Sequence, residues 1–323
     1  MSIIAVLQRL RARRLSKPGL GWSAKISQFA AKAAGGDREL SDYSRANIEA
    51  CRDLIEGIDF YSGERGKDGG ARMVVNMSSA HVPSFCLASR NNDPKPYKNG
   101  YDLGNFIVGT VGPKGEPELR QTVDASLPLD GASPENVYFG ALELTGAGIR
   151  FYGDVCLVLR ADVIDAATVM LDRNSFDLIT PPLRNIINEA PAGPQRDTAR
   201  AAQAKGLAGQ WARDAGHMAA LKTLQSIGLR ARRYTAGQIA EAVRDDEDYL
   251  EILRVGSFGT KDLQEARLST GEAALDAFTI ERTGNGPPPR LETLMWVYRR
   301  RQAERCLREA GIGVRVVTGP GRE

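Results

Sequence analysis

Histidine and cysteine are scarce in this chain of 323 residues, which holds two histidines and four cysteines. Two histidines exclude a metal site built mainly from imidazole, and no cysteines form the C-x-x-C pair typical of a zinc module. Cys51, Cys156 and Cys306 lie in apolar patterns, where a thiol behaves as a small hydrophobic group. We therefore expect reduced thiols, no bound metal and a cytoplasmic location.

The chain also lacks long apolar runs and several well-defined site motifs. No stretch reaches the roughly 18 consecutive apolar residues of a membrane-spanning helix, so we expect no transmembrane segment. There is no G-x-x-x-x-G-K-[ST] phosphate loop, no G-x-S-x-G nucleophile elbow and no H-E-x-x-H zinc helix. Gly146-Ala147-Gly148 lacks the third glycine of a dinucleotide-binding fingerprint and precedes a strand-like segment. These absences remove several common classes of nucleotide-binding and hydrolytic site.

Charge is unevenly distributed along the chain. The net charge is +3, from 43 basic and 40 acidic residues. Residues 1–36 hold seven basic residues and no acidic residue, which leaves 36 basic and 40 acidic residues in the remainder. The body of the protein is therefore slightly acidic, and we expect no broad phosphate-binding face on it.

Residues 1–36 are interpreted as a basic N-terminal arm. Apolar residues at helical spacing among its arginines form the pattern of a short amphipathic helix: Ile3, Val6, Leu7 and Leu10. Such an arm packs on its own body or frays as a tail, but its composition also suits a transit peptide. Docking on nucleic acid or on an anionic membrane is a further alternative.

Strand-like segments are concentrated before Pro181-Pro182, and helical patterns are concentrated after it. Strands are predicted at Arg72–Met77, Val82–Leu87, Phe106–Val111, Leu119–Val123, Val137–Leu144 and Phe151–Leu159. Helices are predicted from Ser41 to Ile58, from a capping box at Thr235 through Leu253, and from Leu291 to Ala310.

These patterns predict an α+β fold, with a mixed or antiparallel sheet in the N-terminal half and a largely helical C-terminal half. We expect a β-rich α+β domain over residues 37–182 and a mostly helical region over residues 183–323. Residues 312–318 alternate in polarity and form a last strand that can return to the sheet. The sequence gives no indication of the oligomeric state.

The most unusual stretch runs from residue 143 to residue 177 and combines polar side chains with apolar runs. Tyr152-Gly153-Asp154 precedes the apolar run Val155–Leu159, and the polar residues 172–175 follow Val169–Leu171. Polar groups at the ends of buried strands are a common way to build a binding site. Residues 152–154 and residues 172–175 both have the composition of ordinary turns, so a purely structural role is the alternative.

The order Tyr152-Gly153-Asp154-Val155, an apolar strand, Thr168 and then Asp172 to Ser175 resembles bacterial toxin and effector domains of the ADP-ribosyltransferase-like class. The resemblance covers residues 143–177. It implies an enzyme that binds NAD as a substrate in a sheet cleft and transfers ADP-ribose to a macromolecular acceptor, a protein or a nucleic acid. The chain departs from the family pattern, since it has no clear Ser-Thr-Ser strand and no Glu-x-Glu pair.

The resemblance also implies roles for individual residues. Glu143 is the candidate catalytic carboxylate, which would stabilise the cationic sugar that forms as nicotinamide leaves. His81 is the second catalytic candidate, although an isolated histidine is also common as a hydrogen-bonded turn residue. Tyr152 would stack on nicotinamide, and the full set of cofactor-binding candidates is Arg72, Arg150, Tyr152, Asp154, Asp172, Arg173 and Ser175.

The alternative hypothesis is a non-enzymatic protein that binds nucleic acid or a protein partner. Its evidence is the basic arm together with the arginines of the last helix, Arg299, Arg300, Arg301, Arg305 and Arg308. Glu304 and Glu309 interleave with these arginines, so a solvated charged face is the simpler interpretation of the helix.

Overall fold

A sheet of eight strands organises the residues that the structure describes. The computed structural model describes residues 21–57, 70–103, 119–228, 232–244, 249–286 and 289–318. The strands are β1 (Arg72–Met77), β2 (Val137–Glu143), β3 (Val155–Leu159), β4 (Val169–Leu171), β5 (Ala208–Gln210), β6 (Glu251–Val255), β7 (Leu263–Ser269) and β8 (Val314–Val317). Their order is β5-β4-β6-β2-β1-β3-β7-β8, and the pairs are antiparallel except for β7 with β8, which are parallel.

The strands at the middle of the sheet are buried on both faces. β3 lies between β1 and β7, and all five of its residues are buried. A continuous apolar run is what such a position requires, because neither face of the strand meets water.

Helices cover the first face of the sheet. The helices of the described chain are α1 (Trp22–Ala34), α2 (Arg38–Glu56), α3 (Val82–Arg90), α4 (Leu119–Asp124), α5 (Leu183–Ile187), α6 (Pro194–Leu207), α7 (Trp211–Ile227), α8 (Ala236–Val243), α9 (Thr270–Asn285) and α10 (Leu291–Glu309). Buried residues of α1, α2, α3, α7, α8 and α10 form one core with Met73, Leu142 and Leu157 of the sheet. This core is the largest in the described chain.

The second face of the sheet carries a smaller cover. Val123 of α4, Leu183 of α5 and Leu207 of α6 pack with Leu171 and Leu253 of the sheet. These short helices lie over the β4–β6 side of the sheet, so part of the face over β1 and β2 lies against a cavity instead of a helix.

The part of the N-terminal arm that the structure describes is anchored to the body. α1 packs on α7 and buries Trp22 and Ile26. The Trp22 indole donates to the Ala208 carbonyl at 2.7 Å, and the Lys25 ammonium donates to the Gly206 carbonyl at 2.6 Å. Residues 1–20 of the predicted arm lie outside the described residues.

Several predicted elements are confirmed. β1 spans the predicted residues Arg72–Met77, and α10 covers the predicted last helix to within one residue. The capping box is present at α8, where the Gln238 N–H donates to the Thr235 hydroxyl at 3.2 Å. β8 lies beside β7 in the sheet.

The predicted division into a sheet-bearing N-terminal half and a helical C-terminal half is wrong. Four strands, β5 to β8, come from residues after 182, and four helices, α1 to α4, precede that position. β6 lies between β4 and β2, while β7 lies against β3, so neither half holds the complete sheet. Local patterns do not report pairing between distant segments, which explains the error. The domain boundaries themselves stay predictions.

Two predicted strands are helices instead. Val82, Phe85 and Cys86 are buried together in α3 at helical spacing, and Pro83 occupies the first turn, where its missing N–H costs no hydrogen bond. Leu119–Asp124 is α4. The predicted strand Phe106–Val111 lies outside the described residues.

The predicted helix from Thr235 through Leu253 is also wrong in its second part. α8 ends at Val243, and Glu251–Val255 is β6. Among the described residues, none of the helices combines the length and apolar character needed to cross a bilayer.

The topology predicts that the two halves of the chain cannot fold separately. A fragment of residues 21–182 should lack a cooperative thermal transition, because β2 would lose β6 and β3 would lose β7. Circular dichroism during heating measures this, with the full chain as the control. A cooperative transition in the fragment would instead support a domain boundary near residue 182.

Candidate functional site

A cavity of about 500 Å³ lies against the second face of the sheet. We call it the sheet-face cavity. Val74, Ala141 and Glu251 form part of its floor, and six aromatic residues line it: Tyr97, Tyr101, Phe139, Tyr152, Phe176 and Tyr249. Concave, mainly apolar sites of this size with a few polar groups are typical of small-molecule binding.

Strand register brings the polar and apolar floor residues together. Ala141 of β2 is opposite Val74 of β1 on one side and opposite Glu251 of β6 on the other. Opposed residues of antiparallel strands point to the same face, so these three side chains share the cavity face. Glu251 is also opposite Leu171 of β4.

Glu251 is a deeply buried carboxyl group, with 2% of the residue exposed. The backbone N–H of Ser175 donates to its Oε2 at 2.8 Å, and the Tyr249 hydroxyl donates to its Oε1 at 3.4 Å. Burial raises the pKa of Glu251, while the charge of Arg120 and hydrogen bonds from Ser175 act in the opposite direction. Within the described part of the chain, no cationic side chain forms an ion pair with Glu251.

Two tyrosines connect Glu251 with the open side of the cavity. The hydroxyls of Tyr249 and Tyr152 lie 3.2 Å apart, and the two rings meet edge to face at 6.4 Å. Tyr249 is buried, whereas Tyr152 is half exposed. Burial and the neighbouring carboxyl of Glu251 raise the pKa of Tyr249, so its hydroxyl keeps its proton and acts as a donor. The three side chains form a continuous hydrogen-bonded row from surface to floor.

Arg120 is the guanidinium at the cavity wall, and its charge is compensated locally. Its Nε lies 2.7 Å from Oδ1 of Asp124, one turn further along α4. The guanidinium also lies over the Phe139 ring, 3.8 Å from its centroid. Tyr101 donates to the other oxygen of Asp124 at 2.6 Å. These contacts fix Arg120 as part of the wall.

Glu143, the predicted catalytic residue, does not line the sheet-face cavity. It is buried at the end of β2, where its Oε2 lies 3.2 Å from the guanidinium of Arg244. Its Oε1 accepts hydrogen bonds from the backbone N–H groups of Leu144 and Gly146, at 2.8 and 3.0 Å. One carboxylate oxygen therefore holds the turn that follows β2, and the other pairs with Arg244.

Close contacts shape the Gly146-Ala147-Gly148 turn. A Cβ atom at Gly146 would collide with the Arg244 guanidinium, and one at Gly148 would collide with the amide of Asn76. Gly148 also has a φ of +68°, a region that favours glycine. Asn76 donates to the carbonyls of Ala147 and Gly153 at 3.0 Å each.

Three further predicted residues lie away from the cavity. His81 is exposed at the start of α3. Arg72 lies at the start of β1, where its Nε donates to Gln264 at 2.9 Å. Arg150 forms an ion pair with Glu272 of α9 at 2.8 Å.

The remaining candidates form structural contacts at strand ends. Asp154 accepts from the backbone N–H of Ser79 at 2.6 Å and lies 3.3 Å from the guanidinium of Arg300. Asp172 and Arg173 form a pair with each other at 3.0 Å. Of the nine predicted site residues, the structure places Tyr152 on the cavity and brings Ser175 to it through its bond to Glu251.

The sequence interpretation missed Glu251, Tyr249 and Arg120. Glu251 and Tyr249 fell within the predicted long helix, and Arg120 fell within a predicted strand. A usable signal was present, because Tyr249, Glu251 and Leu253 alternate with the apolar Leu250 and Ile252, as in a strand buried on both faces.

Comparison of the chain with protein-family models, with characterised proteins and with solved structures finds no match. Among the described residues, no group of three or more histidine, cysteine, aspartate or glutamate side chains is placed to hold a metal ion.

The Glu143–Arg244 pair predicts a loss of stability on substitution. Glu143→Ala should lower the free energy of unfolding by about 3–5 kcal/mol, because it leaves Arg244 buried without its partner. Denaturant unfolding measures this. The exposed pair Arg308–Glu304 provides the control, since Glu304→Ala should cost less than about 1 kcal/mol. An unchanged stability with loss of function would return Glu143 to the catalytic role.

The raised pKa of Glu251 predicts a pH-dependent stability difference. The folded state holds this proton more tightly than the unfolded chain, so the contribution of Glu251 to stability is present at low pH. That contribution falls as the pH rises through the unfolded pKa towards the raised folded pKa. Glu251→Gln should therefore gain stability relative to the natural chain over this range.

Melting temperatures of both proteins across the range test this sign. Glu281→Gln, on the exposed face of α9, is the control for the loss of one carboxylate. A difference that is constant with pH would show that Glu251 has the same pKa in both states.

Proposed function

We propose that the protein binds a small organic molecule in the sheet-face cavity. The observation that carries this proposal is Glu251, a buried carboxyl group that meets neutral donors at the floor of an aromatic-lined cavity. Burying a carboxyl group without an ion-pair partner is unfavourable, and such groups with shifted pKa values are concentrated at functional sites. The hydrogen-bonded row from Tyr152 to Glu251 supplies donors and an acceptor for the ligand.

NAD is the ligand that we propose to test first, with transfer of ADP-ribose to a macromolecular acceptor as the reaction. What supports NAD is the position of Tyr152, the residue expected to stack on nicotinamide, at the open side of this cavity. In this proposal Glu251 takes the part that the resemblance gave to Glu143. Its carboxylate would stabilise the positive charge that develops on the sugar as nicotinamide leaves.

Binding of a protein partner through α10 is the second candidate. Leu291, Met295 and Tyr298 are exposed on one side of this helix. Its arginines give less support to phosphate contacts, since Arg300 is buried against Asp154 and Arg308 pairs with Glu304. Association that survives a rise from low to physiological salt would support a protein partner, and a steep loss would support nucleic acid.

Substitution of Tyr152 tests NAD at the cavity. NAD should raise the melting temperature of the natural chain, and Tyr152→Ala should weaken NAD binding about 10-fold, because it removes a ring from the cavity wall. Calorimetric titration measures the affinity, and nicotinamide release measures turnover.

Phe151→Ala is the matched control, since this neighbouring ring is 84% exposed and does not line the cavity. Equal losses in the two variants would place the NAD site elsewhere. The absence of any NAD-dependent thermal shift would remove NAD as the ligand.

A further inference from the structure

The charges around the floor of the sheet-face cavity do not balance among the described residues. Asp124 and Glu251 are each 2% exposed. The guanidinium of Arg120, on α4, lines the cavity. Arg120 is in direct contact with Asp124. When Glu251 is ionised, the floor therefore carries one negative charge in excess.

The rim of the cavity does not neutralise this charge. Lys98 lines the cavity, but its ammonium is 3.6 Å from the carboxylate of Asp93. The groups in contact with Glu251 are the Ser175 N–H and the Tyr249 hydroxyl, both uncharged. A cation that entered the cavity would therefore meet a carboxylate that forms no ion pair among the described residues, although the charge of Arg120 acts on it from the cavity wall.

The aromatic lining also suits a cation. The faces of tyrosine and phenylalanine rings attract positive charge within about 6 Å of the ring centroid, more strongly where water is excluded. The cavity already shows this interaction, since Arg120 lies 3.8 Å from the centroid of Phe139. Tyr152 and Tyr249 offer two further rings on the path to Glu251.

We infer that the sheet-face cavity selects a small organic cation, whose charged nitrogen lies within reach of the Glu251 carboxylate and against the rings of Tyr152 and Tyr249. This inference rests on the proposed function and names its ligand class. An anionic group in contact with the Glu251 carboxylate is disfavoured because the two charges repel, so the pyrophosphate of NAD would have to lie away from Glu251 while its pyridinium ring approaches it. A pyridinium ring, a protonated amine or a quaternary ammonium group satisfies the same chemistry.

Two probes of equal shape test the charge preference. 1-Methylnicotinamide carries a ring cation, and in 3-methylbenzamide a carbon atom replaces the charged nitrogen. Ligand-observed NMR titrations over a series of rising pH values give the dissociation constant of each probe with the full chain. The preference for the cation should grow with pH as Glu251 ionises, since burial raises the pKa of this carboxyl group. We expect the cation to bind at least about 10-fold more tightly than its neutral counterpart.

Glu251→Gln should abolish the preference, because it removes the charge and keeps the shape of the side chain. The two dissociation constants should then agree within about twofold, while Glu281→Gln should keep the full preference. Melting temperatures show that each variant is folded.

The outcomes separate this inference from the proposed function. Equal binding of both probes to the natural chain overturns the cation preference and leaves small-molecule binding in place. A preference that survives Glu251→Gln also overturns it, because the charge would then be recognised elsewhere. Failure of both probes overturns the inference, and failure of NAD in the separate thermal-shift experiment removes NAD as the proposed ligand.

Discussion

Three glutamates buried on one face of the sheet, Glu143, Glu251 and Glu265, determine much of the structure around them. Removing a carboxylate from water costs several kcal/mol unless a cation and hydrogen-bond donors replace the water. Glu143 has Arg244 at 3.2 Å, and Glu265 has Arg267 at 2.6 Å. Glu251 has uncharged donors. Glu143 and Glu265 therefore have cationic partners within the chain. Glu251, when ionised, has no ion-pair partner among the described residues.

Side chains near the paired glutamates also join the two halves of the chain. Glu143 ends β2, whereas its partner Arg244 follows α8, about one hundred residues later in the chain. Arg267 of β7 donates to the carbonyls of Leu144 and Gly146, at 3.2 and 3.0 Å. Two arginines from the C-terminal half thus hold the turn after β2. Side-chain pairing and strand order therefore impose the same constraint, since each joins residues from both sides of position 182.

Local structure could be predicted where the pattern within one segment decides it. The buried run 155–159, the capping box at Thr235 and the last helix all depend on neighbours in sequence. β6 could not be placed in this way, because its position depends on pairing with β2 and β4. The candidate site shows the same difference between residues that local sequence predicts and residues that it does not. Tyr152 was expected from its turn, but the importance of Glu251 arises from burial by elements distant in sequence.

The contrast between Glu143 and Glu251 shows that residue type alone does not determine the surroundings of a buried carboxyl group. Both are glutamates at the end of a strand on the same sheet face, and Ala141 is two residues from one and directly opposite the other. The Glu143 carboxylate pairs with the Arg244 guanidinium and accepts hydrogen bonds from two backbone N–H groups. In Glu251 one oxygen bonds Ser175 and the other faces Tyr249 and the cavity. A carboxylate can attract a ligand when no cation of the protein pairs with it, and for this reason we propose Glu251, and not Glu143, as the glutamate that acts on a ligand.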